Sequence, residues 1–185
     1  DVTFVNEEAG YKNSFGFVLI DAEGTIHETG LVWENSSRQG SGGSLIAGQS
    51  TATITVPEGL YAEFFLIANG ERVNNGYDDL DLETGSLSFV DENGNKANIN
   101  EDTDSDPILI YTDAAGNVTE LNGNIYHTAE NNGLNPDDIN HVDVTHEGGE
   151  TRLGFEDLFN GGDRDFDDLL LCLLYTSDAA DDSIR

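Results

Sequence analysis

An all-β, antiparallel β-sandwich of jelly-roll-like form is the fold class this sequence predicts. Three observations carry the prediction. The apolar residues come in short runs, the runs are separated by turns rich in Gly, Asn and Asp, and few windows show a helical period.

Val2 to Val5 (VTFV) reads as a first strand, followed by the polar turn Asn6 to Gly10. Phe15 to Ile20 (FGFVLI) is a second, and Asp21 to Gly24 (DAEG) has the residues of a hairpin turn. Thr25 to Trp33 returns, with Ile26, Leu31 and Trp33 as apolar markers. Asn35 to Ser44 is a Gly/Ser-rich loop, too short for a domain linker and flexible enough to border a site. Thr51 to Val56 (TATITV) alternates strictly up to Pro57, the pattern of a half-exposed strand. Tyr61 to Ala68 (YAEFFLIA) is the most apolar internal run and is expected to be the central strand. The polar stretch Asn69 to Asp81 resembles a hairpin connection. Leu87 to Val90 and Ile108 to Tyr111 are shorter strands, and Val142, Val144 and Thr151 to Phe155 supply the last pieces. Pro136 to Ile139 is the best candidate for a short helical turn.

One stretch organises the chain: Gly154 to Leu171, GFEDLFNGGDRDFDDLLL. It gathers six carboxylates, Glu156, Asp157, Asp163, Asp165, Asp167 and Asp168, and from Asp163 to Asp167 they fall on every second residue. Like charges this close repel, and each raises its neighbour's pKa. A hard divalent cation removes the conflict, and calcium accepts six to eight oxygens in flexible geometry. The glycine pair lets the chain turn so that the acids converge. The commoner reading of an acidic loop is a solvated surface. Against it, Phe155, Leu158, Phe159 and Phe166 are threaded between the acids, and the loop leads directly into the apolar run Leu169 to Leu171. The expectation is a calcium-binding loop feeding a buried strand. It is not an EF-hand, since Asp168 stands where that loop needs Gly and Leu174 where it needs Glu. Nor is it a nonapeptide β-roll, because the Gly-Gly-Asp element is not repeated in tandem.

Three further acid clusters could complete a site. Asp102, Asp104 and Asp106 repeat the alternate spacing ahead of Pro107 and are the strongest of the three. Asp78, Asp79, Asp81 and Glu83 form a second group, and Asp137 and Asp138 a third, near Asn135 and His141. For each alone, a solvated loop is about as good a reading as calcium.

The 185 residues suit a single domain with a real core. A net charge of −30 argues against nucleic acid and anionic membranes, whose phosphates would repel such a surface. Disorder is disfavoured by the 37% hydrophobic content in ordered runs. No apolar stretch reaches transmembrane length, so direct membrane insertion is not expected. With one cysteine, disulfides do not hold the fold. The chain contains no methionine and reads as a segment of a longer polypeptide. From Cys172 onward, CLLYTSDAADDSIR resembles the in-frame translation of a sequencing adaptor. The domain is therefore expected to cover 1–171, with 172–185 a non-native tail.

Enzymatic readings find little support. No Gly-x-Ser-x-Gly elbow exists, and Ser41 and Ser44 lack an identifiable partner. His146 to Glu150 approaches a zinc-protease helix, but Glu150 replaces the second His and two glycines oppose the helix. A glycosidase carboxylate pair cannot be located among so many acids. His27, His127, His141 and His146 are read as structural or surface residues, and no catalytic residue is assigned.

The terminal motif also resembles a bacterial domain of unknown function, numbered forty-one fourteen. Members share a Gly-Phe-Glu-Asp-Leu element, then Gly-Gly-Asp-x-Asp-aromatic-Asn/Asp-Asp and an aliphatic strand. FVNEEAGYKNSFGFVLID (Phe4 to Asp21), FFLIANG (Phe64 to Gly70) and LNPDDINHV (Leu134 to Val142) are similar to it as well. Asp167 stands where Asn is frequent, which keeps an oxygen ligand. The resemblance implies a module of large secreted or cell-surface bacterial proteins, including RTX-type calcium-dependent adhesins. It implies calcium ligands at Glu156, Asp157, Asp163, Asp165, Asp167 and Asp168, and peptide or glycan partners on host or neighbouring cells. The expectation is a non-enzymatic, extracellular adhesion module, monomeric within a longer chain and holding several calcium ions. A calcium-rigidified spacer is the rival, and a hydrolase accessory domain a third reading.

Overall fold

The computed structural model describes residues 1–99, 106–129 and 132–174. Twelve strands fill this part of the chain: β1 Val2–Asn6, β2 Ser14–Ile20, β3 Ile26–Trp33, β4 Thr51–Ala52, β5 Tyr61–Ile67, β6 Ser86–Val90, β7 Ile108–Thr112, β8 Val118–Glu120, β9 Ile125–His127, β10 Val142–Glu147, β11 Glu150–Phe155 and β12 Leu169–Leu173. A single α-helical turn, Gly70–Val73, and two 3-10 turns are the helix among the described residues. The strands form three antiparallel sheets, ordered β10-β11-β12-β1-β4, β3-β2-β5-β9 and β6-β7-β8. The fold is an all-β sandwich with a third sheet packed on its outer side.

The four-stranded sheet is the middle layer, and its sequence explains why. Alternate residues of a strand point to opposite faces. In β5, Ala62, Phe64 and Leu66 enter one core while Phe65 and Ile67 enter the other. In β2, Phe15 and Leu19 face the first and Val18 and Ile20 the second. Strands buried on both faces read as unbroken apolar runs, which is what FGFVLI and YAEFFLIA are. The first core is completed by Phe4, Leu153, Phe155, Leu169 and Leu171 of the five-stranded sheet. The second is completed by Phe89, Leu109 and Tyr111 of the small sheet. Each such side chain, fully buried, contributes about 1.5–3 kcal/mol.

Three hairpin turns share one construction, Asp-x-x-Gly-x. Asp21 Oδ1 accepts the N–H of Glu23 and Thr25, Asp91 Oδ1 those of Asn93 and Asn95, and Asp113 Oδ1 those of Ala115 and Asn117. The glycines Gly24, Gly94 and Gly116 hold φ of 81°, 80° and 87°, a region costly to a side chain.

Two expectations are revised. Thr51–Val56 pairs only at Thr51 and Ala52, because its partner β1 runs out at Asp1, whose carboxylate accepts from Thr53 Oγ1 at 2.6 Å. Ile54 and Val56 still pack on the first core. The Gly/Ser loop is pinned rather than loose: Ser36 and Ser37 are buried, and Ser36 donates its N–H and its hydroxyl to Asn13 O. The strand ending the organising stretch continues to Leu173, where it pairs with Val2 of β1. Residues 175–185 lie outside the described residues.

Candidate metal centre

β11 and β12 are antiparallel neighbours with Phe155 opposite Leu169, both fully buried. The next positions outward are therefore Glu156 and Asp168, which the ladder delivers face to face. Asp157 N–H donates to Asp168 Oδ2 at 2.9 Å. The connecting turn departs from ordinary backbone. Asn160, Gly161, Gly162, Arg164 and Phe166 all have positive φ, and three of them are not glycine. Strain of this kind costs on the order of 1 kcal/mol per residue and gathers at functional sites. Gly162 has a φ of 39°, and a Cβ there would displace the Glu156 carboxylate. Gly154 is required sterically, its Cβ position being 2.4 Å from Phe166 O.

The turn folds Asp163 and Asp165 back over Glu156. Two groups of carboxylate oxygens result, Glu156–Asp163–Asp165 and Glu156–Asp157–Asp168, each mutually within 4.8 Å. Glu156 belongs to both and is 1% exposed. Its Oε2 accepts the N–H of Arg164 at 3.0 Å, while Oε1 is buried without any hydrogen-bond partner. Burial, and then the Asp168 carboxylate, push the Glu156 carboxyl up to about 7. Burial does the same to Asp157, against the opposing hydrogen bond from Asn13 Nδ2 at 2.7 Å, with Asp168 adding repulsion. Burial, then Asp165, raise Asp167. A buried carboxylate with an unused oxygen is costly unless something cationic meets it. The donors are all oxygen, which suits a hard cation, and among the described residues no sulfur or nitrogen ligand joins either group. These residues fit a metal ion.

A third wall comes from the β1–β2 connection, whose chemistry the sequence reading missed. Glu7 is 3% exposed and accepts the backbone N–H of Arg38. Burial raises its pKa despite Arg38, and the charges of Asp168 and Glu8 add to the rise. Glu8 N–H donates to Asp167 O. The signal was available, for Glu7, Glu8 and Asn13 sit inside the FVNEEAGYKN stretch of the family resemblance.

Asp137 supports the loop from the fourth side. Its Oδ2 accepts the N–H of Asn160 at 2.6 Å, and both its oxygens lie within 3.0 Å of His141 Nε2. His141 is fully buried, stacked on Tyr126 at 3.6 Å, with Nδ1 2.9 Å from Glu156 O. Both ring nitrogens thus face oxygen acceptors, so the ring is a brace and not a ligand. Asp106 is exposed, and partial burial with the charges of Asp138 and Asp137 raises it. Asp102 and Asp104 lie outside the described residues.

The Asp78 group is placed elsewhere. Asp81 caps a turn, accepting from Thr84 Oγ1 at 2.6 Å and from the N–H groups of Glu83 and Thr84. Asp79 accepts from Asn75 Nδ2. Asp78 lines a separate cleft with Lys12, Glu71 and Arg72. Among the described residues, these three join no group of three carboxylates.

Fold and loop together define an all-β domain with an acidic connection, at the end of its sandwich, able to hold a metal ion. The model of the family described as "Domain of unknown function (DUF4114)" matches residues 56–175, and the chain belongs to that family. The match includes the whole Glu156–Asp168 loop. No curated protein and no solved structure matches the chain. No helix among the described residues is long and apolar enough to cross a membrane.

Proposed function

We propose that this is a calcium-dependent ligand-binding module of an extracellular or cell-surface protein, working by adhesion and not by catalysis. The observation that carries the calcium reading is Glu156, buried among carboxylates with one oxygen unpartnered. Calcium at this loop removes the repulsion, fixes the strained turn and ties β11 and β12 to the β1–β2 connection. Calcium is favoured over magnesium because the donors are many, irregularly placed and mixed in burial, whereas magnesium demands near-ideal octahedral geometry.

Support for ligand binding comes from the surface around the loop. Leu158 and Phe159 are exposed apolar residues at its rim. A 430 Å³ hollow is lined by Arg164 and Phe166 of the loop together with Asp138, Ile139 and Asn140. Among the described residues Arg164 makes no ion pair, although acids flank it in sequence on both sides. A calcium ion with an open position would accept a carboxylate or hydroxyl from a peptide or glycan whose remainder contacts this partly apolar hollow.

The test is a thermal melt in calcium, in magnesium and in chelator. Calcium at about a hundred times its dissociation constant should stabilise by about 2.7 kcal/mol, or about 5–10 °C for a domain of this size. A melt that ignores calcium removes the proposal. The spacer alternative is favoured by the Asn13–Asp157 bond, which clamps the loop to the body of the domain. A calcium-shifted melt together with no calcium-dependent retention on peptide or glycan arrays would select the spacer.

A further inference from the structure

We infer that the Glu156–Asp168 loop holds two divalent cations, not one, with the Glu156 carboxylate bridging them. This rests on the calcium reading and goes beyond it in the number of ions and the division of labour between the acids. The geometry supplies two separate oxygen groups that share Glu156 and no other residue. The inner group adds Asp157, which is buried, and Asp168, which is half-buried. The outer group adds Asp163 and Asp165, both exposed. A carboxylate with two oxygens can serve one ion with each, and bridged ions commonly sit about 3.5–4 Å apart.

Glu156 shows that both of its oxygens are committed to this region. Oε1 is buried without a partner and points at Gly162, the glycine of the outer turn. Oε2 accepts the Arg164 N–H, also on that turn. On the inner side the same carboxylate offers an oxygen within 4.8 Å of oxygens of Asp157 and Asp168. A single ion placed among Glu156, Asp157 and Asp168 would leave Asp163 and Asp165 crowded against a buried carboxylate with no counter-charge of their own.

Charge balance leads to the same count. The two groups contain five carboxylates. Two divalent ions leave one negative charge on a loop that also carries one cationic residue, Arg164. One ion would leave three. The inner site, with buried walls and the Asn13 brace on Asp157, should bind more tightly; the outer site faces solvent and should exchange faster.

Calorimetric titration of the full chain with calcium chloride tests this, using three variants of accessible or half-buried acids. Asp163→Asn/Asp165→Asn should lose one ion relative to the parent and keep the tighter one. Asp168→Asn should lose one ion and keep the other. The triple variant should lose two. If each variant loses the same single ion and the triple loses no more, the loop is mononuclear and the inference is overturned. If the parent binds no calcium, the calcium reading itself has failed. Far-ultraviolet circular dichroism on each chelated variant separates lost ligands from a lost fold, and Asn at 168 can still accept the Asp157 N–H.

Discussion

The same residue type does opposite work in two parts of this molecule. In the hairpin turns, Asp21, Asp91 and Asp113 give their oxygens to backbone N–H groups and to His27, Asn95 and Asn117 side chains. Those bonds, led by the side-chain partner in each case, hold the three carboxyls below their usual range. In the β11–β12 loop, Glu156, Asp157 and Asp167 are raised instead, chiefly by burial. The difference is not acidity of composition but what the fold offers each oxygen. A hairpin acid completes a turn and asks for nothing else. A loop acid is crowded by burial and by its neighbours' charge.

The comparison breaks or sharpens most strongly at Glu156. In calcium, Glu156→Gln should abolish most of the stabilisation described above, because it removes a ligand common to both oxygen groups. In chelator the sign should reverse. A buried charge without a counterion destabilises, so the neutral amide should raise the melting temperature, on the order of 1 kcal/mol or about 2–4 °C. That gain depends on pH in a defined direction. A carboxyl whose pKa in the folded chain exceeds its unfolded value, about 4.3 for Glu, favours folding only while protonated. The penalty in the parent is therefore present at pH 8, shrinks as pH falls through about 7, and is gone near the unfolded value. Melts of parent and variant in chelator should converge as the buffer is taken from pH 8 to 5. Parallel curves would mean that Glu156 is not held charged and unpartnered.

A smaller effect is expected at Asn13. Its amide donates to Asp157 Oδ2 while its Oδ1 accepts the Asn69 N–H, so it orients an acid without joining the oxygen groups. Groups that position metal ligands typically matter about 10–100-fold in affinity. Asn13→Ala should weaken calcium binding about tenfold, with the number of ions unchanged in a calorimetric titration. An unchanged affinity would show that the backbone alone sets the loop.

Much of this contrast was legible in the sequence, and the missing parts share a cause. The alternating acids, the glycine pair and the apolar run after Asp168 point to the loop because they are contiguous. The middle layer was legible in YAEFFLIA, since a strand buried on both faces shows no polar alternation. Glu7 and Asn13 were not read as chemistry because they are far from the loop in sequence: pairing of β1 with β12 brings Glu7 to it within one sheet, and Asn13 reaches Asp157 from the start of β2 in the other. Two short edge strands were not anticipated, β8 on the third sheet and β9 on the middle one, because each is three residues long and β8 is exposed. Short strands like these leave almost no periodic signal. In the Asp78 group, by contrast, a turn already uses the oxygens of Asp81 and a neighbouring Asn one of Asp79.

The smallest predicted effect tests the other side of the comparison. Gly116 closes the Asp113 turn at φ 87°, and nothing lies within 4 Å of where a Cβ would stand. Gly116→Ala therefore adds no clash and isolates the backbone cost, about 1 kcal/mol for a side chain held in the left-handed region. The melting temperature should fall by about 2–4 °C, and by the same amount in calcium and in chelator, because the turn's acid is satisfied by Ala115 and Asn117 N–H groups in either condition. Asp113→Ala should likewise lower stability equally in both, with calcium affinity unmoved. A calcium-dependent difference at either position would mean that the hairpin acids also bind the ion, and the division between acids that finish a turn and acids that await a cation would not hold.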